Sequence, residues 1–196
     1  MRLKLALAAL LALAPTAALA HTGAGIEHDL MHGFLHPFGG LDHVLAMVAV
    51  GVFAFVLGGR ALYLVPLAFV GMMAAGFLLG VAQIDVPFVE LGIALSSVVI
   101  GGVAALGRPM PVVAASALVG VFAIFHGVAH GAEMPLGSTG WQYAVGFVAA
   151  TALLHFAGIA AAMGVSTLIG RHARPAAQAA GALFALGGAG LLAGWL

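Results

Sequence analysis

The sequence predicts an all-α protein, a polytopic bundle of membrane-spanning helices, on three observations. Hydrophobic residues make up 64% of the 196-residue chain and charged residues only 6%, where a soluble domain carries about 25% charged residues. Mean hydropathy is +1.21. The apolar residues also fall into runs of about 20, the length a helix needs to cross the hydrocarbon core. A chain of this length suits one bundle better than several domains.

The elements follow in order. Arg2 and Lys4 form a positive start, Leu5 to Leu13 an apolar stretch, and Ala18-Leu19-Ala20 a small-x-small cleavage pattern. Residues 1–20 therefore read as a cleavable signal peptide that leaves His21 at the mature N-terminus. The mature region, 21–196, holds six apolar runs at about 41–58, 61–80, 88–106, 111–130, 141–169 and 176–195. Gly58-Gly59-Arg60 breaks the first from the second, and Asp85-Val86-Pro87 the second from the third. Gly107-Arg108-Pro109, Ser138-Thr139-Gly140 and Arg174-Pro175 mark the remaining breaks, as Gly and Pro do where helices end. The fifth run exceeds a bilayer and must tilt or protrude. Trp141 and Tyr143 are placed to anchor it at the headgroups. Gly76 with Gly80, and Gly190 with Gly194, have the four-residue spacing that lets helices approach closely, read here as packing within one bundle.

Orientation follows from charge. With residue 21 outside, the loops near 60, 108 and 172 are cytoplasmic, and they carry Arg60, Arg108, Arg171 and Arg174, every cation of the mature region apart from His. Glu27, Asp29, Asp85 and Glu133 fall on the other side. The positive-inside rule is met without exception, which puts both mature termini outside. With no Lys in this region and no basic patch, nucleic acid is not a partner. The chain has no Cys, which excludes disulfides, thiolate metal sites and Cys catalysis.

Titratable groups at membrane depth cost about 2.5–3.5 kcal/mol each when charged, and they mark ion or substrate routes. Two groups stand out. His36-Pro37-Phe38-Gly39-Gly40-Leu41-Asp42-His43 opens the first run, and Phe125-His126-Gly127-Val128-Ala129-His130-Gly131-Ala132-Glu133 closes the fourth. Both lie on the outer side, as do His21, His28 and His32. His126, His130 and Glu133 are spaced i, i+4, i+7, one face of a continuing helix. Asp42 and His43 are adjacent and point about 100° apart, so either one faces the path while the other orients it, or Gly39-Gly40 brings both round. His36 precedes Pro37, which favours extended backbone and a fold back over the helix mouth. Glu90 is a lone carboxylate near the outer start of the third run.

Imidazole and carboxylate donors without thiolate suit Ni, Co, Zn or Cu(II). Calcium and magnesium prefer all-oxygen shells. Structural roles compete at each position. Asp42 is also suited to cap its helix, His126 and His130 to form a satisfied interhelical hydrogen-bond pair, Glu90 to balance such a pair or lie at the interface, and Glu133 to be a solvated loop charge. His28 and His32 read equally as an outer collecting site or a polar lead-in. His155, mid-way along the fifth run, reads as a structural hydrogen-bonding residue ahead of a deeper transit site. His172 belongs to a cytoplasmic loop.

The run His36 to His43, continued by Ala46-Met47 and Val50-Gly51, resembles the first-helix signature of the HupE/UreJ family, and Phe125 to Glu133 resembles its second. The similarity extends over the N-terminal segment, the size and the six-helix layout. Members are regarded as nickel permeases serving [NiFe] hydrogenase or urease. The resemblance implies metal-handling roles for His36, Asp42, His43, His126, His130 and Glu133. Glu90 is added from its membrane charge alone. The implied protein sits in the bacterial inner membrane and takes up nickel(II), or cobalt, as cargo. It is not an enzyme, has no prosthetic group, and its oligomeric state is not encoded in any motif. No GxxxxGK[ST] run is present, so the chain is not itself a P-loop ATPase. A membrane metalloenzyme with histidine boxes needs His-His pairs, absent here. A metal-binding sensor or chaperone that does not transport is the other alternative.

Overall fold

A computed structural model describes residues 26–134 and 140–195, with side chains described from residue 29 onward. The signal-peptide segment 1–20, His21, the His28 side chain and most of the 136–140 break lie outside the described residues. Within them, α1 spans Ile26–Leu35, α2 Leu41–Leu57, α3 Ala61–Val81, α4 Val89–Leu106, α5 Val112–Ala132, α6 Gly140–Ile169 and α7 Ala173–Leu192. No strand occurs among the described residues. Six of these helices coincide closely with the six apolar runs. The helix that the hydropathy pattern does not predict is α1, too short and too polar to register as a span.

Ala61–Val81, Val89–Leu106, Val112–Ala132 and the 53-residue stretch Gly140–Leu192 are long and apolar enough to cross a membrane. Leu41–Leu57 joins them when taken with the segment before it, from which it is bent by 81°. The long stretch is two helices. Gly170 takes a left-handed φ of +52°, a conformation open to glycine at little cost, and the chain turns back there. The break thus falls five residues before Pro175, which is accommodated in the first turn of α7, where its missing N–H is no loss.

Glycine sets the helix pairing. Side chains added at Gly76, Gly80, Gly127 and Gly131 would each run into backbone of the facing helix. Helices α3 and α5 therefore lie side by side and parallel, with Gly76 level with Ile124 and Gly80 with Val128. Gly101 and Gly181 do the same for α4 and α7, which run antiparallel, and Arg174 donates to the Gly107 carbonyl at 2.7 Å. The spacing at Gly190 and Gly194 does not form a helical face, because Gly194 lies past the end of α7 with φ +69°; Gly181 and Gly188 make that contact instead. Along α3 and α6, Phe77 faces Phe147, Met73 faces Thr151 and Phe69 faces His155, so these two are antiparallel. Every step from α2 to α7 reverses direction. Arg60, Arg108, Arg171 and Arg174 consequently gather at one end, and Asp85, Glu90, Glu133 and most of the histidines at the other.

The core is apolar at its centre, with Phe53, Phe69, Met73, Ile100 and Phe147 fully buried. The 30-residue α6 outruns the bundle: its last turns, after Ile159, are mostly exposed. Tyr143 is buried among aromatic rings, against the expectation of a headgroup anchor, while Trp141 is exposed.

Candidate metal pathway

The bend between α1 and α2 creates the first half of the site. His36 was expected in extended backbone; it opens a one-turn 3-10 helix, His36–Phe38, closed by the Gly39 N–H to the His36 carbonyl. Pro37 fits in such a first turn because those N–H groups lack intrahelical partners. Gly40 then starts α2 without a side-chain cap. A Cβ on Gly40 would collide with the Asp42 carboxylate and the His43 ring, so glycine is what lets this adjacent pair fold together. Asp42 Oδ1 accepts the His43 backbone N–H at 2.8 Å and its ring Nδ1–H at 3.0 Å. Asp42 thus orients His43 and leaves the Nε2 lone pair of that ring facing inward.

The second half comes from α5. His126 and His130, one turn apart, are both fully buried, and Glu133 caps the helix end. Ser96 on α4 donates its hydroxyl to the Ile93 carbonyl and lies 3.0 Å from His126 Nε2. With the Ser96 hydrogen committed to that carbonyl, Nε2 must be the donor, which leaves Nδ1 of His126 as the lone pair. Glu133 Oε2 accepts from His36 Nε2 at 2.8 Å. That hydrogen bond, at the outer end of α5, holds the Glu133 carboxyl below its ordinary value of 4.5.

The two halves interleave into a file of rings. Centroid separations are 6.1 Å from His32 to His36, 5.0 Å from His36 to His130, 5.0 Å from His130 to His43 and 4.8 Å from His43 to His126. Tyr143 flanks His32 and His36 at 5.7 and 5.8 Å, and Phe147 stacks on His130 at 4.8 Å. At the inner end Phe69 lies between His126, at 5.6 Å, and His155, at 4.9 Å.

Much of this file is unpartnered. His43 Nε2, His126 Nδ1, both nitrogens of His130, both of His155 and the Tyr143 hydroxyl are buried without a hydrogen-bond partner. Each such group costs about 1–3 kcal/mol. A row of them is a row of vacant donor atoms rather than a packing solution. Among the described residues no three His, Asp or Glu side chains are grouped to hold a single ion as they stand. The chemistry on offer is a succession of one- and two-nitrogen contacts.

The structure therefore brings together His36, Asp42, His43, His126, His130 and Glu133. Glu90 stays outside the file of rings: it is exposed and lines an outer cavity with Asp85 and Glu133, the one residue of the group it adjoins. Of the interhelical hydrogen bonds expected for His126 and His130, that of His126 to Ser96 is made and His130 has none; His43 sits against both. Glu133 is half exposed, as a loop charge would be, and also accepts a hydrogen bond from His36. His155 has no hydrogen bond to protein, which overturns the structural reading of it. Sequence reasoning gives no site role to Ser96, Phe69 or Tyr143. A buried-facing serine on an otherwise apolar helix was a usable signal for Ser96; Phe69 has none, since only its neighbours distinguish it from core.

The sequence profile of the family described as HupE / UreJ protein matches residues 8–191. Protein HupE of Rhizobium leguminosarum bv. viciae is 45% identical over 177 residues, covering 90% of this chain and 91% of its own length. No solved structure matches.

Proposed function

This chain belongs to the HupE/UreJ family, and on that footing we propose that it is a permease that passes nickel(II), with cobalt as the nearest competitor, from the periplasm to the cytoplasm. The observation that carries the proposal is the file of imidazole rings from His36 through His130 and His43 to His126, in which both nitrogens of His130, His43 Nε2 and His126 Nδ1 are buried without a partner. Neutral imidazole is a good ligand for borderline divalent ions. Retention calls for three or four donors on one point, whereas conduction calls for binding strong enough to admit the ion and weak enough to release it. A file of rings about 5 Å apart suits the second. In this scheme the ion is collected near His36 and Glu133, loses water to His130 and His43, and reaches His126. Asp42 and Glu133 hold rings in place, and Ser96 fixes the tautomer that keeps His126 Nδ1 open, as groups behind metal ligands do elsewhere. Asp85 and Glu90 raise the local cation concentration at the mouth. The Arg-rich end faces the cytoplasm by the positive-inside rule, where the metal serves hydrogenase or urease maturation.

The test is nickel-63 uptake by proteoliposomes carrying the full chain, with unlabelled cobalt and zinc as competitors. Saturable uptake above that of empty vesicles, inhibited more by cobalt than by zinc, is expected. Nickel binding with no uptake would move the protein to the non-transporting class.

A further inference from the structure

We propose that His155 is an inner station on the metal route, one step beyond the outer file and separated from it by the ring of Phe69. The inference rests on the transport reading above and extends it to a residue outside both histidine motifs. His155 is 1% exposed, and neither of its ring nitrogens has a partner. An imidazole in that state is a costly way to fill space, since each unmet buried polar atom costs about 1–3 kcal/mol and a Phe or Leu would fill it without that cost.

Its position supports the reading. From Tyr143, whose ring lies against that of His36, twelve residues of α6 lead to His155, about 18 Å along the helix axis, in the middle of a helix long and apolar enough to cross a membrane. The ring does not face lipid. It meets Phe69 of α3 edge to face, at 4.9 Å and 86°, and the other neighbour of Phe69 is His126, the innermost ring of the outer file, at 5.6 Å. One turn outward on the same two helices, the Thr151 hydroxyl reaches the Met73 sulfur at 3.7 Å. A hydroxyl, a thioether and an imidazole thus succeed one another at the α3–α6 seam, beside the buried rings of Phe69, Phe77 and Phe147. Helix α2 closes the site from behind: any side chain at Gly51 would collide with the His155 carbonyl, and one at Gly158 with the Val48 carbonyl. The backbone that carries His155 is therefore fixed, and its ring has few places to go. A metal leaving His126 meets no other unpartnered nitrogen on the described inner side of the bundle.

The experiment compares flux with binding in the full chain. His155→Phe removes both nitrogens while preserving bulk, and His155→Gln keeps a polar head of similar reach. Both are purified, checked by thermal melting, reconstituted and assayed for nickel-63 uptake per folded protein, alongside equilibrium nickel binding in detergent. Expected is a loss of uptake in His155→Phe of about tenfold or more, the scale on which metal-handling side chains register. A smaller loss is expected in His155→Gln, with nickel affinity at the outer file within about twofold of wild type. A role in packing alone would move melting and leave uptake per folded protein unchanged. Wild-type uptake in folded His155→Phe overturns the inner station and leaves the permease reading intact. Failure of both variants to fold would assign His155 to the architecture and overturn it too. Absence of uptake by the wild type would remove the permease reading itself.

Discussion

Segment 36–43 rounds an 81° bend and brings its imidazoles in with partners: His36 on Glu133, His43 on Asp42. Segment 126–133 runs down one helix and brings imidazoles with few or none. His126 has Ser96 on one nitrogen, and His130 has nothing on either. The carboxylates of the site thus hold rings at the periphery, and the vacant donors concentrate where α2 and α5 meet. The first turn of α2 sets a carboxylate beside the imidazole of the next residue, where Gly40 leaves room for both. The last turns of α5 stack rings one turn apart and bury them completely. Holding and binding are divided between two pieces of backbone with different geometries.

That division is most open to challenge at His130. Replacing it with Phe keeps an aromatic ring against Phe147 and removes two unmet nitrogens. Nickel uptake is expected to fall by about 100-fold, the upper end for loss of a metal-handling group. Thermal stability should hold or rise, because two desolvated polar atoms have been replaced by apolar ones. Lower stability together with lost uptake would show that His130 is a structural ring.

On the holding side, Glu133→Gln keeps a hydrogen-bond acceptor but loses the charge beside His36, and uptake is expected to fall by about tenfold. The pH dependence is a further check. Because the folded state depresses the Glu133 carboxyl below 4.5, the stabilisation it contributes is present above the ordinary carboxylate value and is lost only as pH falls through the lower, folded value. Acid inhibition of uptake that sets in above pH 4.5 therefore does not arise from Glu133. The variant should keep the same acid limb as wild type, and an acid limb that vanishes in Glu133→Gln would reverse the assignment.

The smallest effect belongs to Ser96→Ala. Freeing the His126 tautomer leaves Nδ1 open only part of the time, so uptake should drop by a few-fold without loss of the fold. Nickel binding measured by calorimetry should weaken in parallel, since ring-orienting partners tune metal affinity.

Much of this was legible in the sequence. Helices α2 to α7 were readable because each is an uninterrupted apolar run bounded by Gly, Pro or Arg, and hydropathy reports that directly. The second motif was readable because i, i+4, i+7 spacing is a property of one helix. The rest depended on contacts between distant parts of the chain. The bond of Asp42 to its neighbour His43 needed the freedom of Gly40. The pairing of His36 with Glu133 spans 97 residues, and the Ser96 contact with His126 spans 30; no spacing encodes either. Helix α1 was missed because a ten-residue helix that carries Glu27, His28, Asp29 and His32 shows no spanning pattern. Tyr143 was placed at the headgroups by residue type, and helix packing buried it instead.

The account turns on whether the vacant ring nitrogens carry the ion. Nickel-63 flux into proteoliposomes, measured for wild type and His130→Phe at equal amounts of folded protein, addresses that directly. The account predicts saturable flux in the wild type and a loss of about 100-fold in the variant, with its melting temperature retained. Equal flux from the two proteins would contradict it.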